Sequence, residues 1–206
     1  MKSSSSLEHI AGMDIYLIDQ IMKGRYLPGQ SILDAGAGGG RNLNWFFSHG
    51  FRIDACDIES EREEIIRCRF PKGEFEWQTT DISALPYDDG KFDHVICNAV
   101  LHFASSHAHF DVMFSELIRV LRPKGSIFIR TCSDIGIKER AISLGDGCYN
   151  LPDGSRRYLI SRKRIEALLA KHNLAHLEAV KSVNVDDQRV MTTLVMVKGG
   201  DLGYIK

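Results

Sequence analysis

Glycines crowd the end of one apolar run: Ile32-Leu33-Asp34-Ala35-Gly36-Ala37-Gly38-Gly39-Gly40. A residue without Cβ lets the backbone come close to a ligand. Asp57 follows about 20 residues later, at the end of the next apolar run, where a carboxylate can accept both hydroxyls of a ribose. Together these residues predict a nucleotide-like cofactor beside Gly36, Ala37, Gly38 and Gly40. The glycine spacing discriminates further. A dinucleotide fingerprint, G-x-G-x-x-G, needs its third glycine at position 41. Arg41 stands there, and the glycine is at 40. Asp34, just before the loop, would repel a pyrophosphate. S-adenosylmethionine has no phosphate and carries a positive ammonium and a positive sulfonium, so an acidic strand end suits it. A nicotinamide dehydrogenase is thereby disfavoured.

Three histidines, His102, His107 and His109, stand close together. Imidazole is the usual proton acceptor near pH 7, which makes His102 the candidate catalytic base if the reaction needs one. No cysteine or carboxylate completes a metal-ligand spacing around the three, so no metal site is expected. Tyr149, Arg156, Arg157 and Tyr158 lie in a stretch rich in glycine and poor in periodicity. Tyr149, Arg157 and Tyr158 are the candidate contacts to a substrate, because loops over strand ends commonly carry such contacts.

The elements that must hold these residues alternate. Strands are expected at 31–35, 52–57, 74–78, 92–97 and 126–130, with helices at 42–49 and 61–69 between them. Phe110, Met113, Phe114, Leu117, Ile118 and Leu121 form one apolar helical stripe. Such alternation builds an α/β fold: a single Rossmann-like, doubly wound sheet, mostly parallel. A helix capped by Ser161 and running to Lys171 follows. Strands 176–183 and 190–197, joined by a short turn, predict an antiparallel hairpin at the C-terminal edge. Residues 1–6 are expected to be a disordered lead, 7–198 the catalytic domain and 199–206 a tail. Within the domain, 7–27 is expected to form a helical cap and 133–160 a substrate-side loop.

The chain has 206 residues, a length that favours one domain, and a formal net charge of -1, which calls for neither nucleic acid nor anionic membrane. Five widely spaced cysteines without a C-x-x-C pair fit free thiols in the cytoplasm. No apolar run approaches the roughly 20 residues of a membrane span.

From 31 to 131 the sequence resembles the class I S-adenosylmethionine-dependent methyltransferases, in their broad small-molecule branch. The carriers are Ile32 to Gly40, Ala55-Cys56-Asp57-Ile58, Thr80-Asp81-Ile82 with Leu85-Pro86-Tyr87, Gly90-Lys91-Phe92-Asp93-His94-Val95-Ile96, Ala99-Val100-Leu101-His102, and the stretch ending Arg119-Val120-Leu121-Arg122-Pro123-Lys124-Gly125. Gly40-Arg41-Asn42 and 191–197 are similar to tellurite-resistance-type members. The resemblance implies that Asp34 and the glycine loop hold the methionine end of S-adenosylmethionine. It places Asp57 on the ribose, Ile58 and Ile82 against the adenine, Asp81 on the adenine amino group and Asn98 at the reacting centre. It implies methyl transfer to a small-molecule acceptor, with S-adenosylhomocysteine as product, by a monomer or homodimer. A DNA amino-methyltransferase of this family would carry N/D-P-P-Y/F where Asn98-Ala99-Val100-Leu101 stands. A non-catalytic member serving a protein partner is the other alternative.

Overall fold

The computed structural model describes residues 8–199, so the expected lead and nearly all of the expected tail lie outside it. Its centre is a sheet whose first strand, β1 (Ser31–Ala35), pairs in parallel with β2 (Arg52–Asp57) on one side and with β4 (Phe92–Asn98) on the other. β3 (Glu76–Thr79) continues outward from β2, and β5 (Leu121–Cys132) from β4. The chain thus reverses its direction of growth between β1 and β4, and the crevice beyond the strand ends at that switch point is where such sheets take ligands. β1 is buried along its whole length, as a strand covered by helices on both faces must be. Its side chains alternate: Ile32 joins the apolar cluster with Leu17, Phe46 and Ile66, and Leu33 joins the opposite one with Phe114, Leu117 and Ile127.

The helices are set by local chemistry. The helical cap expected over 7–27 does not form as one helix. A short 3-10 turn (Glu8–Ile10) precedes Gly12, which has φ +78°, and α1 (Ile15–Met22) then begins at Asp14, whose side chain accepts from the Tyr16 N–H. Glycine and an Asp cap restart the helix in a new direction. Leu7 lies outside the described residues. α2 (Asn44–Ser48) is short; α3 (Glu61–Arg69) carries Glu61, Glu63 and Glu64 in its first turn and Arg67 and Arg69 in its last, complementing the helix dipole. α4 (His107–Val120) buries the expected stripe through Ile118, and Ser106 caps it by accepting from the His109 N–H.

Residues 133–160 depart from expectation. They fold into a small antiparallel sheet of β6 (Ile142–Gly145), β7 (Cys148–Asn150) and β8 (Arg156–Tyr158) instead of a long loop. Strands of three and four residues are too short to show a period, and β6 is exposed throughout, so no alternation marked them. α5 (Arg162–His172) follows, capped by Ser161. β9 (Leu174–His176), β10 (Lys181–Val185) and β11 (Arg189–Lys198) complete the central sheet. β11 lies antiparallel to β5 and pairs with β10 as the edge hairpin, giving the order β10-β11-β5-β4-β1-β2-β3, with β9 also on β11. Among the described residues no helix is long and apolar enough to cross a membrane.

Candidate cofactor and acceptor site

A cavity of about 540 Å³ opens at the switch point, within the range of small-molecule sites. Gly36, Gly38, Asp57, Ile58, Asp81 and Ile82 line it, so six of the ten expected cofactor residues come together. The end of β4 and the segment after it supply the facing wall through Ala99, Val100 and Phe103, and α4 adds His109 and Met113. Glu59, Arg62 and Thr80 complete the lining.

The glycine loop is shaped by two demands. Gly36 has φ +78°, and a Cβ there would collide with the Val100 side chain. Only glycine fits that conformation and that gap. The loop's amides are then largely used by the fold itself. Gly36 and Ala37 both donate to the Cys56 carbonyl at 2.9 Å, Gly38 donates to Asp57 Oδ2 at 2.9 Å, and Gly40 donates to the Ala37 carbonyl. A loop whose N–H groups are already bound is a poor anion nest, in contrast to phosphate-binding loops. Ala37 itself is buried in the core and its side chain does not reach the cavity.

The charges on this side are negative. Asp57, Glu59 and Asp81 line the cavity. Asp57 is held from both sides, since its Oδ1 also accepts from the Glu59 N–H at 3.1 Å. Asp81 Oδ1 accepts from the Ser83 N–H at 2.8 Å, which fixes the turn and leaves the other oxygen for a ligand. Asp34 lies beneath the loop, fully buried, and its Oδ2 has no partner. Burial pushes its carboxyl up to about 7, with Arg41 opposing and Asp57 adding to the rise. A buried acid oxygen without a partner is a place where a cationic ligand gains most. The residues present therefore fit the ammonium and sulfonium of S-adenosylmethionine. Ile58 is a large apolar side chain left 67% exposed in the cavity, facing an otherwise polar rim, and Ile82 is buried within the same lining.

Asn98, at the end of β4, is buried with its Nδ2 unpartnered, and its Oδ1 accepts from Arg41 Nη2 at 3.3 Å. Arg41 also lies 3.8 Å from Asp14, which pairs with Arg130. The next residue, Ala99, is held at φ +65°, its N–H donating to the Arg130 carbonyl at 2.8 Å. A non-glycine residue in that region is strained, and such strain concentrates at functional sites.

The remaining expected residues are placed differently. His102 is buried outside the cavity lining, with Nδ1 unpartnered. Burial, then the Arg157 and Arg189 charges, push it down to about 4, so it is neutral and weakly basic at pH 7. Tyr158 is a core residue: it is 1% exposed, stacks on Phe110 at 4.6 Å and meets His107 Nδ1 through its hydroxyl at 2.7 Å. Its position on a three-residue strand turns its ring inward, away from any substrate. Tyr149 is half-buried against Cys132, Leu151 and Met191. Arg157, paired in register with Tyr149, lies over the Phe103 ring at 4.8 Å, at the cavity's edge. The three histidines do not converge, and among the described residues no group of three metal-ligand side chains forms. Sequence reasoning missed His109 as a wall residue. Its signal was its spacing: it stands four residues before Met113, on the same helical face.

Residues 33–129 match the model of a methyltransferase domain. A malonyl-[acyl-carrier protein] O-methyltransferase from Serratia marcescens is 26% identical over 174 residues, covering 84% of this chain and 64% of that protein. A fatty-acid O-methyltransferase from Mycolicibacterium smegmatis is 33% identical over 126 residues, covering 57% and 43%. The chain thus spans less than two thirds of the length of either relative. Among solved structures, the 1,6-didemethyltoxoflavin-N1-methyltransferase of Burkholderia thailandensis, which holds S-adenosylhomocysteine, superposes with a TM-score of 0.69 at 18% identity, over 95% of this chain and 82% of that one. At that identity the likeness concerns the fold.

Proposed function

We propose that this chain is a class I S-adenosylmethionine-dependent methyltransferase, a reading supported by the methyltransferase-domain match over 33–129, and that it transfers a methyl group from S-adenosylmethionine to a small-molecule acceptor. The observation that carries this reading is the glycine loop with its amides consumed and acids around it. That arrangement favours a cationic donor over a pyrophosphate.

In this reading Asp57 takes the ribose hydroxyls, Ile58 and Ile82 cover the adenine, and Asp81 accepts from its amino group. Asp34 faces the methionine ammonium, and Arg41 with the Asn98 Nδ2–H balances its carboxylate. When bound, the sulfonium supplies an activated methyl group. The chain's own work is then alignment. Holding acceptor and donor in line replaces a bimolecular encounter, and the apolar side chains of Val100, Phe103 and Met113 limit water around the nucleophile. The acceptor is read by β6–β8 and the segment after β4.

Calorimetry with S-adenosylhomocysteine tests the cofactor. Micromolar binding is expected, and Asp57→Ala should weaken it about tenfold, the scale of a hydrogen bond to a charged group. Folded protein giving no heat with either S-adenosylhomocysteine or S-adenosylmethionine would sink the proposal.

A further inference from the structure

The two walls of the cavity differ in charge. Acids stand on the side of Asp57, Glu59 and Asp81; the facing side, from Ala99 to Met113, offers none. It offers one N–H donor and apolar surface, and one cation lies against its Phe103 ring.

The cation is Arg157. Strand β8 rests on the turn at Leu101–Phe103 and sets the guanidinium 4.8 Å from the Phe103 ring centroid. Phe103 lines the cavity and is 60% exposed. Arg157 donates one N–H to the Arg156 carbonyl at 2.7 Å and, among the described residues, pairs with no carboxylate. Its neighbour Arg189 is different, being neutralised by Asp153 at 3.0 Å. A half-exposed guanidinium without an acid, laid over the ring of a cavity-lining phenylalanine, is a ready fork for a planar anion.

The donor is His109. Its Nδ1 accepts from the Ser105 backbone N–H at 3.2 Å. In the neutral ring the proton is therefore on Nε2, so that nitrogen is a donor and the Nδ1 lone pair is already engaged. The other nearby imidazole, His102, sits outside the lining and is weakly basic. The acceptor wall thus presents no free imidazole lone pair. An amine or alcohol acceptor must shed a proton; a carboxylic acid is already ionised at pH 7.

On the methyl-transfer reading above, we infer that the acceptor is a carboxylic acid with an apolar body, bound by Arg157 at the cavity mouth and methylated on its carboxylate oxygen. The carboxylate oxygen forms the new O–C bond as the S–C bond breaks, and that bond's electron pair stays on sulfur. The negative carboxylate and positive sulfonium become a neutral ester and a neutral thioether, and no proton moves. Val100, Phe103 and Met113 pack the apolar body.

The test is acceptor binding to the protein loaded with S-adenosylhomocysteine, by calorimetry. Octanoate and cinnamate are each compared with their amides and with octylamine. At least one acid should bind tenfold or more tighter than its amide. Arg157→Gln should remove most of that margin, Arg157→Lys should restore part of it, and S-adenosylhomocysteine affinity should stay within twofold in both. With methyl-labelled donor, the favoured acid should yield a base-labile methyl ester. The inference is overturned if neither acid outbinds its amide, if octylamine binds as tightly, or if Arg157→Gln keeps the margin. Loss of S-adenosylhomocysteine binding in the parent protein would instead overturn the methyl-transfer reading, and this inference with it.

Discussion

On the side of Asp57 and Asp81, the cavity is walled by the ends of β1, β2 and β3, and its shape is made mostly of backbone. On the side of Phe103, it is walled by the segment after β4 and by α4, with Arg157 of the small sheet β6–β8 laid over the Phe103 ring, and its shape is made mostly of side chains. The first wall is fixed by the parallel sheet and by Gly36, where a Cβ would collide with Val100. The second could have been a loose flap. It is not: Cys148, Tyr158 and Ile160 belong to the same apolar cluster as Phe110, Phe114 and Leu117. The acceptor side is therefore anchored in the main core while its exposed side chains remain free to differ.

Truncating that anchor should have the largest effect. Tyr158→Ala removes a fully buried ring stacked on Phe110, and should cost about 3–5 kcal/mol of stability in denaturant unfolding. The transition should stay single, because the ring belongs to the shared core. A separate early transition for β6–β8, with the remainder unshifted, would show that the two walls are independent units. Tyr158→Phe loses only the hydroxyl contact to His107 and should cost about 0.5–1.5 kcal/mol.

The cofactor wall breaks differently. Gly36→Ala meets both a left-handed backbone and the Val100 side chain, and should cost about 2–4 kcal/mol from strain and overpacking together. S-adenosylhomocysteine affinity should fall at least tenfold by calorimetry, because the loop must shift. Unchanged affinity would mean that backbone approach at Gly36 does not shape the site.

What the sequence made legible follows the same division. β1, β2 and α3 appear with the bounds that their apolar runs and caps predict, and the α4 stripe is buried as its spacing requires. Long periodic segments report their own burial. That Asp57, Asp81, Gly36 and Gly38 share one cavity was legible because their place relative to a strand end puts them at the switch-point crevice. Tyr158 was not, since in a three-residue strand nothing in the neighbouring residues says which way a side chain faces. His102 was misleading for a related reason: residue type suggests a base, but only burial and the arginines around it set its basicity.

Asp34 sharpens the contrast in a measurable way. Its carboxyl is raised from an ordinary 3.8 to about 7, so between those values the folded state holds a proton that the unfolded state has lost. Its contribution to stability is therefore lost as pH rises through that window. His94 and His102, both held near 4, act oppositely: they lose protons on folding, so stability rises with pH between about 4 and 6.5. The Asp34 part is isolated by comparison with Asp34→Asn. The variant's melting temperature relative to the parent should climb by roughly 5–10 °C from pH 5 to pH 7.5. A constant difference across that range would contradict a buried, unpartnered carboxylate. Saturating S-adenosylmethionine should flatten the climb, because its ammonium favours the ionised acid.

The smallest expected effect sits where the two walls meet. Ala99 joins Asn98, on the cofactor side, to Val100, on the facing side, and is held at φ +65° by its bond to the Arg130 carbonyl. Ala99→Gly removes a left-handed penalty of about 1–2 kcal/mol. Glycine gives back much of this through its freer unfolded chain, roughly 0.5–1 kcal/mol. The balance should leave the melting temperature unchanged or up to about 2 °C higher. Affinity for S-adenosylhomocysteine should nonetheless weaken two- to fivefold, because the strained residue fixes the direction of the Asn98 amide and keeps Val100 against Gly36. A variant that melts clearly lower, with affinity intact, would mean that the Ala99 methyl is a packing group and that its backbone conformation serves the fold alone.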